Sequence, residues 1–302
     1  MAIMRRHSRG RPSTMFQIIG IVMLFGLVFG SYLMSGGKLD VIIEAAPHEL
    51  MAILGAGVAA FLISNSMTVI KATGAGFGKI FKGPKWKAGD YRDLLSLLFL
   101  LTKTMKSKGV IALESHIEKA HESTIFARYP KITHDHFAVD FICDTLRMMT
   151  MNLEDPHQVE DAMEKQLEKH HHEALEPAHA LQSMADALPA LGIVAAVLGV
   201  IKTMGSITEP PAVLGGMIGG ALVGTFLGVF MAYGLVGPMA TRLQAVVNED
   251  GAFYKIIQAV LVAHLHGNAA QISVEIGRGH VPSPSQPSFN ELEEALSQIP
   301  PE

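Results

Sequence analysis

The chain has 302 residues, 49% of them hydrophobic, and only 17% are charged, below the roughly 25% of ordinary soluble domains. This composition and a mean hydropathy of +0.31 indicate an integral membrane protein with a substantial soluble part, rather than a wholly soluble one. The net charge of -4 gives no reason to expect nucleic acid as a partner, and the single cysteine, Cys143, excludes an internal disulfide framework.

The N-terminal part predicts a first membrane span behind a basic extension. Residues 1–14 are rich in arginine, and Met15 to Met34 is an apolar run of about 20 residues, the length of a spanning helix. We therefore expect the first span at residues 15–34, with the N-terminus in the cytoplasm. Met15 remains an alternative start of translation.

A second span is predicted at residues 50–70, after a periplasmic loop at residues 35–49. Lysines become frequent directly after this span, and positive charge marks the cytoplasmic side of membrane proteins. The first two spans therefore form a hairpin that leaves and re-enters the cytoplasm. Residues 71–186 contain no apolar run long enough to span a membrane. Their apolar residues recur at helical spacing, which predicts a cytoplasmic helical domain.

The third and fourth spans are predicted at residues 187–206 and 212–237, joined by a short periplasmic loop at residues 207–211. The even number of spans returns the chain to the cytoplasm, where residues 238–280 predict an amphipathic helix. Residues 281–302 form a Pro-rich and acidic tail. The predicted fold class is all-α: an integral membrane protein with four transmembrane helices and a cytoplasmic helical domain.

Small residues recur along the third and fourth spans at helical spacing. In lipid, a face of small side chains lets another helix approach closely. We predict that this face packs against a helix of a partner, and the alternative is ordinary packing between the chain's own spans. The glycines of the predicted face are Gly192, Gly199, Gly216, Gly220, Gly224 and Gly228.

No residue pattern predicts an enzyme, a cofactor site or a metal site. The three consecutive histidines His170 to His172 point about 100° apart on a helix, so they cannot bind one ion together, and we expect a solvated helix face. We expect Cys143 to be an ordinary packed thiol.

None of the four predicted spans contains Asp or Glu in its middle, although ion pathways usually need a carboxylate there. The chain alone therefore does not predict a conventional ion translocator. It can supply half of one, if a foreign helix brings the carboxylate. In that case the hydroxyls of Thr225 and Tyr233 would line the ion path.

Several stretches resemble the MotA family of flagellar motor stator subunits, in the MotA/TolQ/ExbB proton channel superfamily. ALPALGIVAAVLGVIKTMGS and LVGTFLGVFMAYGLVGPMA resemble the family's third and fourth membrane helices. The resemblance extends over nearly the whole chain from Met15, because it also includes the first span and the stretches ESTIFARYPKI and PSFNELEE. Residues 1–14 fall outside it.

The resemblance implies a homo-pentamer around two copies of MotB, whose single transmembrane helix carries an aspartate. Ion flow through that aspartate would turn the ring, and the cytoplasmic domain would push on the rotor protein FliG. The protein would lie among the lipids of the bacterial inner membrane, with both termini in the cytoplasm. The overall similarity favours H⁺ as the transported ion, and sodium stays the alternative.

The resemblance also implies roles for individual residues. The family's two functional prolines match Pro189 and Pro238, which would act as hinges because proline removes a backbone donor. Its channel threonine matches Thr225, and its small channel residue matches Ala196.

Two charged positions are implied to contact the rotor. The acidic one matches Glu114, whereas the basic one, arginine in the best-known members, falls on Lys106. Lysine keeps the charge but lacks the planar donor fork of arginine.

Two other functions stay open. An energiser of outer-membrane processes in the ExbB/TolQ style shares the two inner helices and the borrowed aspartate, but it usually has three spans. A self-contained solute permease would need intramembrane charge, which the predicted spans lack.

Overall fold

The computed structural model describes residues 14–109, 111–151 and 155–299, so the basic extension lies almost entirely outside the described residues. The ordered elements there are helices, and no strand occurs among them. Twelve α-helices follow one another among the described residues: α1 Thr14–Met34, α2 Asp40–Ser64, α3 Met67–Lys82, α4 Ala88–Lys108, α5 Ile111–Glu118, α6 Pro130–Thr133, α7 His136–Thr150, α8 Pro156–Met204, α9 Pro211–Phe230, α10 Gly237–Leu265, α11 Ala270–Gly279 and α12 Phe289–Ser297.

The chain divides into two compact units. The membrane unit contains the described residues up to Gly83 together with Leu175–Val246, and the polar unit contains Pro84–Ala174 and the described residues from Val247. Four helices are apolar and long enough to cross a membrane, by length and composition: α1, α2, α8 and the continuous run from α9 through α10. The predicted fold class is therefore confirmed.

The second span differs from its prediction at both ends. Its helix α2 begins at Asp40, so most of the predicted loop at residues 35–49 is helical. Apolar side chains in this first part, such as Ile42 and Ala45, pack against the membrane unit's core, which favours continuing the helix. An acidic residue in the first turn also suits the positive end of the helix dipole.

Asn65 ends α2 instead of lying within a span. Its backbone is extended, and its side-chain amide donates a hydrogen bond to the carbonyl of Phe61 at 2.8 Å. The next helix, α3, starts at once because the hydroxyl of Ser66 accepts a hydrogen bond from the backbone N–H of Val69. The predicted span at residues 50–70 thus contains a helix end and a helix start.

Proline is common in the first turn of a helix, but neither Pro177 nor Pro189 begins one here. Both lie inside α8, which is one helix of 49 residues. Each removes one hydrogen bond from the ladder and frees one carbonyl, which a helix tolerates where packing holds it. The boundary predicted at residue 186 also shifts, because the membrane unit already includes Leu175.

A π-helical segment, Met231–Val236, lies between α9 and α10. In such a segment each backbone N–H reaches the carbonyl five residues earlier, and the N–H of Gly237 does bond the carbonyl of Ala232. This irregular turn lies inside the predicted fourth span, directly before Pro238. The apolar pattern of the sequence carries no sign of it.

The predicted C-terminal elements also change. The predicted helix at residues 238–280 is two helices, separated where Gly267 takes a positive φ of +87°. The tail predicted at residues 281–302 contains α12, whose start is capped by Ser288 and Glu291 in a reciprocal pair. This helix is fixed because its apolar side chains are buried in the core of the polar unit.

The core of the polar unit is built around the only tryptophan of the chain. Trp86 stacks on Phe253 with ring centroids 3.7 Å apart and planes 6° apart. Beside this stack, the buried carboxylate of Asp135 accepts a hydrogen bond from the hydroxyl of Tyr254 at 3.1 Å. The same carboxylate forms an ion pair with the ammonium group of Lys85, with 2.5 Å between the oxygen and the nitrogen. Trp86, Phe253 and Tyr254 belong to one buried cluster of the polar unit, in which the indole nitrogen of Trp86 has no hydrogen-bond partner among the described residues.

Candidate functional site

The third and fourth spans, formed by α8 and α9, approach until their backbones meet. A Cβ added at Gly228 would lie 2.8 Å from the Cα of Gly192 and 2.8 Å from the carbonyl oxygen of Leu188. A Cβ added at Gly192 would lie 2.9 Å from the carbonyl oxygen of Gly224. Only glycine fits such a contact, which is how helices pack closely in lipid.

Other glycines of the predicted partner-facing surface also meet the chain's own helices. A Cβ on Gly199 would lie 2.7 Å from the Cβ of Ala221, and one on Gly220 would lie 3.7 Å from the Cβ of Ala45. Only at Gly216 would an added Cβ meet nothing within 4 Å.

The assignment of this surface to a partner helix is therefore corrected. In this chain the positions carry the ordinary span-to-span packing that was the alternative, because α2 and α8 already cover α9 there. The corrected positions are Gly192, Gly199, Gly220, Gly224 and Gly228. The partner-facing role stays a prediction for Gly216, which is exposed.

The predicted channel residues do not form one group. Ala196 on α8 and Thr225 on α9 are half-buried, each next to a glycine-rich contact. Tyr233 lies eight residues beyond Thr225, about 12 Å further along a helix, and its side chain is 69% exposed. It lines a separate apolar cavity of about 360 Å³ beside α1, with Leu24 and Pro238.

The two predicted hinge prolines have different surroundings. Pro189 is half-buried inside α8, where its missing N–H leaves the carbonyl of Ala185 without its helical donor. Pro238 is exposed at the start of α10, directly after the π-helical segment. Both positions therefore combine proline with an irregular hydrogen-bond ladder, and their hinge role stays a prediction.

The two predicted rotor contacts lie in the polar unit. Lys106 is in the last turn of α4 and Glu114 is in α5, on either side of Gly109, which turns the chain with a φ of +84°. Both side chains are exposed, and neither forms an ion pair with another described residue. Their role in a rotor contact stays a prediction.

The histidine cluster is less solvated than the sequence predicts. His170 stacks on Phe137 with ring centroids 3.5 Å apart, and His171 is half-buried against Gly251. Aromatic stacking therefore draws this side of α8 into the polar unit. Among the described residues, no group of three His, Cys, Asp or Glu side chains is arranged to hold a metal ion.

The predicted packed thiol is confirmed. Cys143 lies in the core of the polar unit with 4% of its surface exposed. Burial is the main cause that raises the pKa of its thiol to about 12, because the low-dielectric core disfavours the thiolate. The thiol is therefore almost entirely protonated at neutral pH, and the reactive thiolate form is disfavoured.

A cavity in the membrane unit, with charged side chains in its wall, escapes prediction from the sequence. Because α2 begins at Asp40, Glu49 lies about 14 Å along a helix of spanning length, so a carboxylate does occur inside a span. Its oxygen lies against Gly224 of α9, where an added Cβ would be only 2.5 Å away. The helical spacing of the apolar residues 42, 45 and 46 could have revealed the longer helix.

The sequence and the fold match known proteins along most of the chain. Residues 18–109 match the family described as Motility protein A N-terminal, and residues 134–254 match the MotA/TolQ/ExbB proton channel family. The chain is 40% identical over 285 residues to Motility protein A of Escherichia coli strain K12, covering 94% of this chain and 96% of that protein. It is 35% identical over 284 residues to Chemotaxis protein LafT of Vibrio parahaemolyticus, covering 94% and 99% respectively.

Two solved structures share the fold. The structure of C. jejuni MotAB matches with a TM-score of 0.68 at 19% identity, covering 91% of this chain and 99% of that chain. The flagellar MotAB stator complex from Bacillus subtilis matches with a TM-score of 0.62 at 20% identity, covering 85% and 92%. These likenesses extend over both units of the chain.

Proposed function

This chain belongs to the Motility protein A family of flagellar motor stator subunits, and we propose that it works with a MotB-type subunit as an ion-driven motor. The partner's single transmembrane helix would supply an aspartate, and protons passing through it would turn a ring of these chains. The polar unit would transmit the motion to the rotor protein FliG.

The observation that carries this proposal is the absence of acidic residues along two tightly packed spans. Neither the apolar part of α8, residues 187–204, nor α9 contains Asp or Glu. An ion path beside these helices needs a carboxylate to replace lost hydration, so another helix has to provide it. Glu49 lies on α2 and on neither of these two spans, so in this proposal it does not take the place of the partner's carboxylate.

The surface of the membrane unit supports a place among lipids and other subunits. Apolar side chains of α1 are widely exposed, for example Val22 at 64% and Leu27 at 65%. A bilayer or neighbouring copies in a pentamer would cover them. The lysines Lys79 and Lys82 at the end of α3 favour a cytoplasmic side there, with both termini in the cytoplasm of an inner-membrane protein.

The polar unit supports the contact with FliG through charge. Lys106 and Glu114 are exposed and of opposite sign, and each such surface charge contributes about 0.2–1 kcal/mol to a contact. Weak contacts of this size suit an interaction that forms and releases at every step. The function is mechanical and needs no cofactor or enzymatic chemistry.

An energiser of outer-membrane processes is the less favoured function. The match of residues 18–109 to the Motility protein A N-terminal family favours the stator, and so do relatives named for motility and chemotaxis. Deleting the gene for this chain separates the two functions. We expect paralysed cells with intact flagella and normal outer-membrane uptake, whereas swimming cells with failed uptake would overturn the stator function.

A further inference from the structure

A cavity of about 420 Å³ with several charged side chains in its wall opens among three helices of the membrane unit, at the end where short loops join the spans. It is bounded by the first half of α2, the last turn of α8 and the first half of α9. The charged or titratable side chains that line it are Glu44, His48 and Glu49 from α2 and Lys202 from α8. The wall from α9 contributes no titratable group, since that helix contains none.

Glu49 is the innermost of these side chains. Its carboxylate rests against the backbone of Gly224, and an added Cβ at Gly224 would approach one carboxylate oxygen to 2.5 Å. The carboxylate therefore occupies the space that a larger residue at that position would fill. Thr225, the predicted channel residue, is the next residue of the same helix.

The charges suit a cation that is held briefly and then released. Two carboxylates face one ammonium group, so the cavity is net negative when His48 is neutral, and low-dielectric walls strengthen its attraction for cations. Lys202 opposes tight binding, and conduction requires that an ion leaves its site as readily as it arrives. No hydrogen bond or ion pair within the described residues occupies the Glu49 carboxylate.

Given the ion-driven function proposed above, we propose that this cavity is an access site for the transported monovalent cation, with Glu49 as its inner ligand and Lys202 as the opposing charge. The cation, hydronium or sodium, is concentrated at Glu44 and Glu49 from the outer side. It then passes along α9 toward the partner's carboxylate. A hydronium ion would leave its proton on the Glu49 carboxylate and depart as water.

The test measures the rotation speed produced by a single stator unit, in cells that express the full chain with its partner, while external pH and sodium are varied separately. The Glu49→Gln variant should need about tenfold more of the driving cation for half-maximal speed. Lys202→Gln should need less of it than the parent. Asp40→Asn removes the same charge from the same helix outside the cavity, so it is the matched control and should behave like the parent.

Speed per unit does not depend on how many units assemble, so reduced accumulation of a variant does not obscure the result. Parental cation dependence in Glu49→Gln would overturn the access site while leaving the motor function intact. If Glu49→Gln fails to assemble, the Lys202→Gln variant is the remaining test. An unchanged dependence of its rotation speed on the driving cation would overturn the proposal. A parent complex that does not rotate at all would instead contradict the proposed function.

Discussion

Gly192 and Gly228 touch through their backbones, and a Cβ on Gly228 would lie only 2.8 Å from the Cα of Gly192. The third and fourth spans are therefore fixed against each other within one chain. This contact assigns the glycine-rich face to the internal packing of the membrane unit.

The glycine contact predicts a sharp difference between two substitutions on the same helix. Gly228→Ala forces a methyl group into the facing backbone, and such overpacking costs about 1–3 kcal/mol or more. Gly215→Ala, on the same helix, meets nothing within 4 Å and should be neutral. Thermal unfolding of the purified stator complex in detergent measures both. Equal midpoints for the two variants would show that the spans are not packed as described.

Replacing the two prolines of α8 should affect motility differently, while both variants should accumulate normally in the membrane. Pro189→Ala restores the hydrogen bond to the carbonyl of Ala185 and stiffens the helix, so we expect normal membrane levels without swimming. Pro177→Ala makes the same chemical change in the same helix and is the matched control, which should swim. Membrane immunoblots and swimming speed provide the measurement. Normal swimming of Pro189→Ala would remove its role as a hinge.

We expect the stack of Trp86 on Phe253 to stabilise the folded polar unit. Trp86 is the only tryptophan of the chain, so its fluorescence reports on this stack. Phe253→Leu removes the ring contact and leaves a small void, so unfolding should require about 1–3 kcal/mol less free energy. Urea titration followed by tryptophan fluorescence should show a lower midpoint. Phe289→Leu is the control, because that ring is 55% exposed. A midpoint shift no larger than the control's would contradict the stack's contribution.

The raised pKa of Cys143 predicts how its thiol reacts with a maleimide. A group with a pKa near 12 is ionised to only about one part in a thousand at pH 9, whereas an ordinary thiol near 8.5 is mostly thiolate there. Native protein should therefore remain unlabelled from pH 7 to 9 and label fully in denaturant. A Cys143→Ser, Ser115→Cys double variant places the thiol on an exposed position and should label quickly. Rapid labelling of native Cys143 would show that the core is open.

The sequence predicts the four spans and the all-helical fold class, because four long apolar runs are a strong signal. It failed where the signal is weak. The start of α2 at Asp40 was missed because Glu44, His48 and Glu49 make the segment look like a loop, although its apolar side chains pack against α9. That error also concealed the cavity.

Other parts of the site depend on packing that no local pattern records. Small residues at every fourth position predict a close helix contact, but they do not say which helix fills the groove. The structure supplies the answer in Gly192 and Gly228, both on the chain's own spans. The π-helical segment before Pro238 is likewise a product of how the helix packs, because MAYGLV reads as ordinary apolar helix.

The most direct test of the motor function measures rotation of tethered cells in which this chain is the only stator subunit of its kind, expressed with its MotB-type partner. Rotation should cease when the proton gradient is collapsed and should persist when sodium is removed. It should also cease when the membrane aspartate of the partner is changed to asparagine, while this chain still reaches the membrane. Rotation that continues without the partner's aspartate would contradict a motor whose carboxylate is borrowed from another helix.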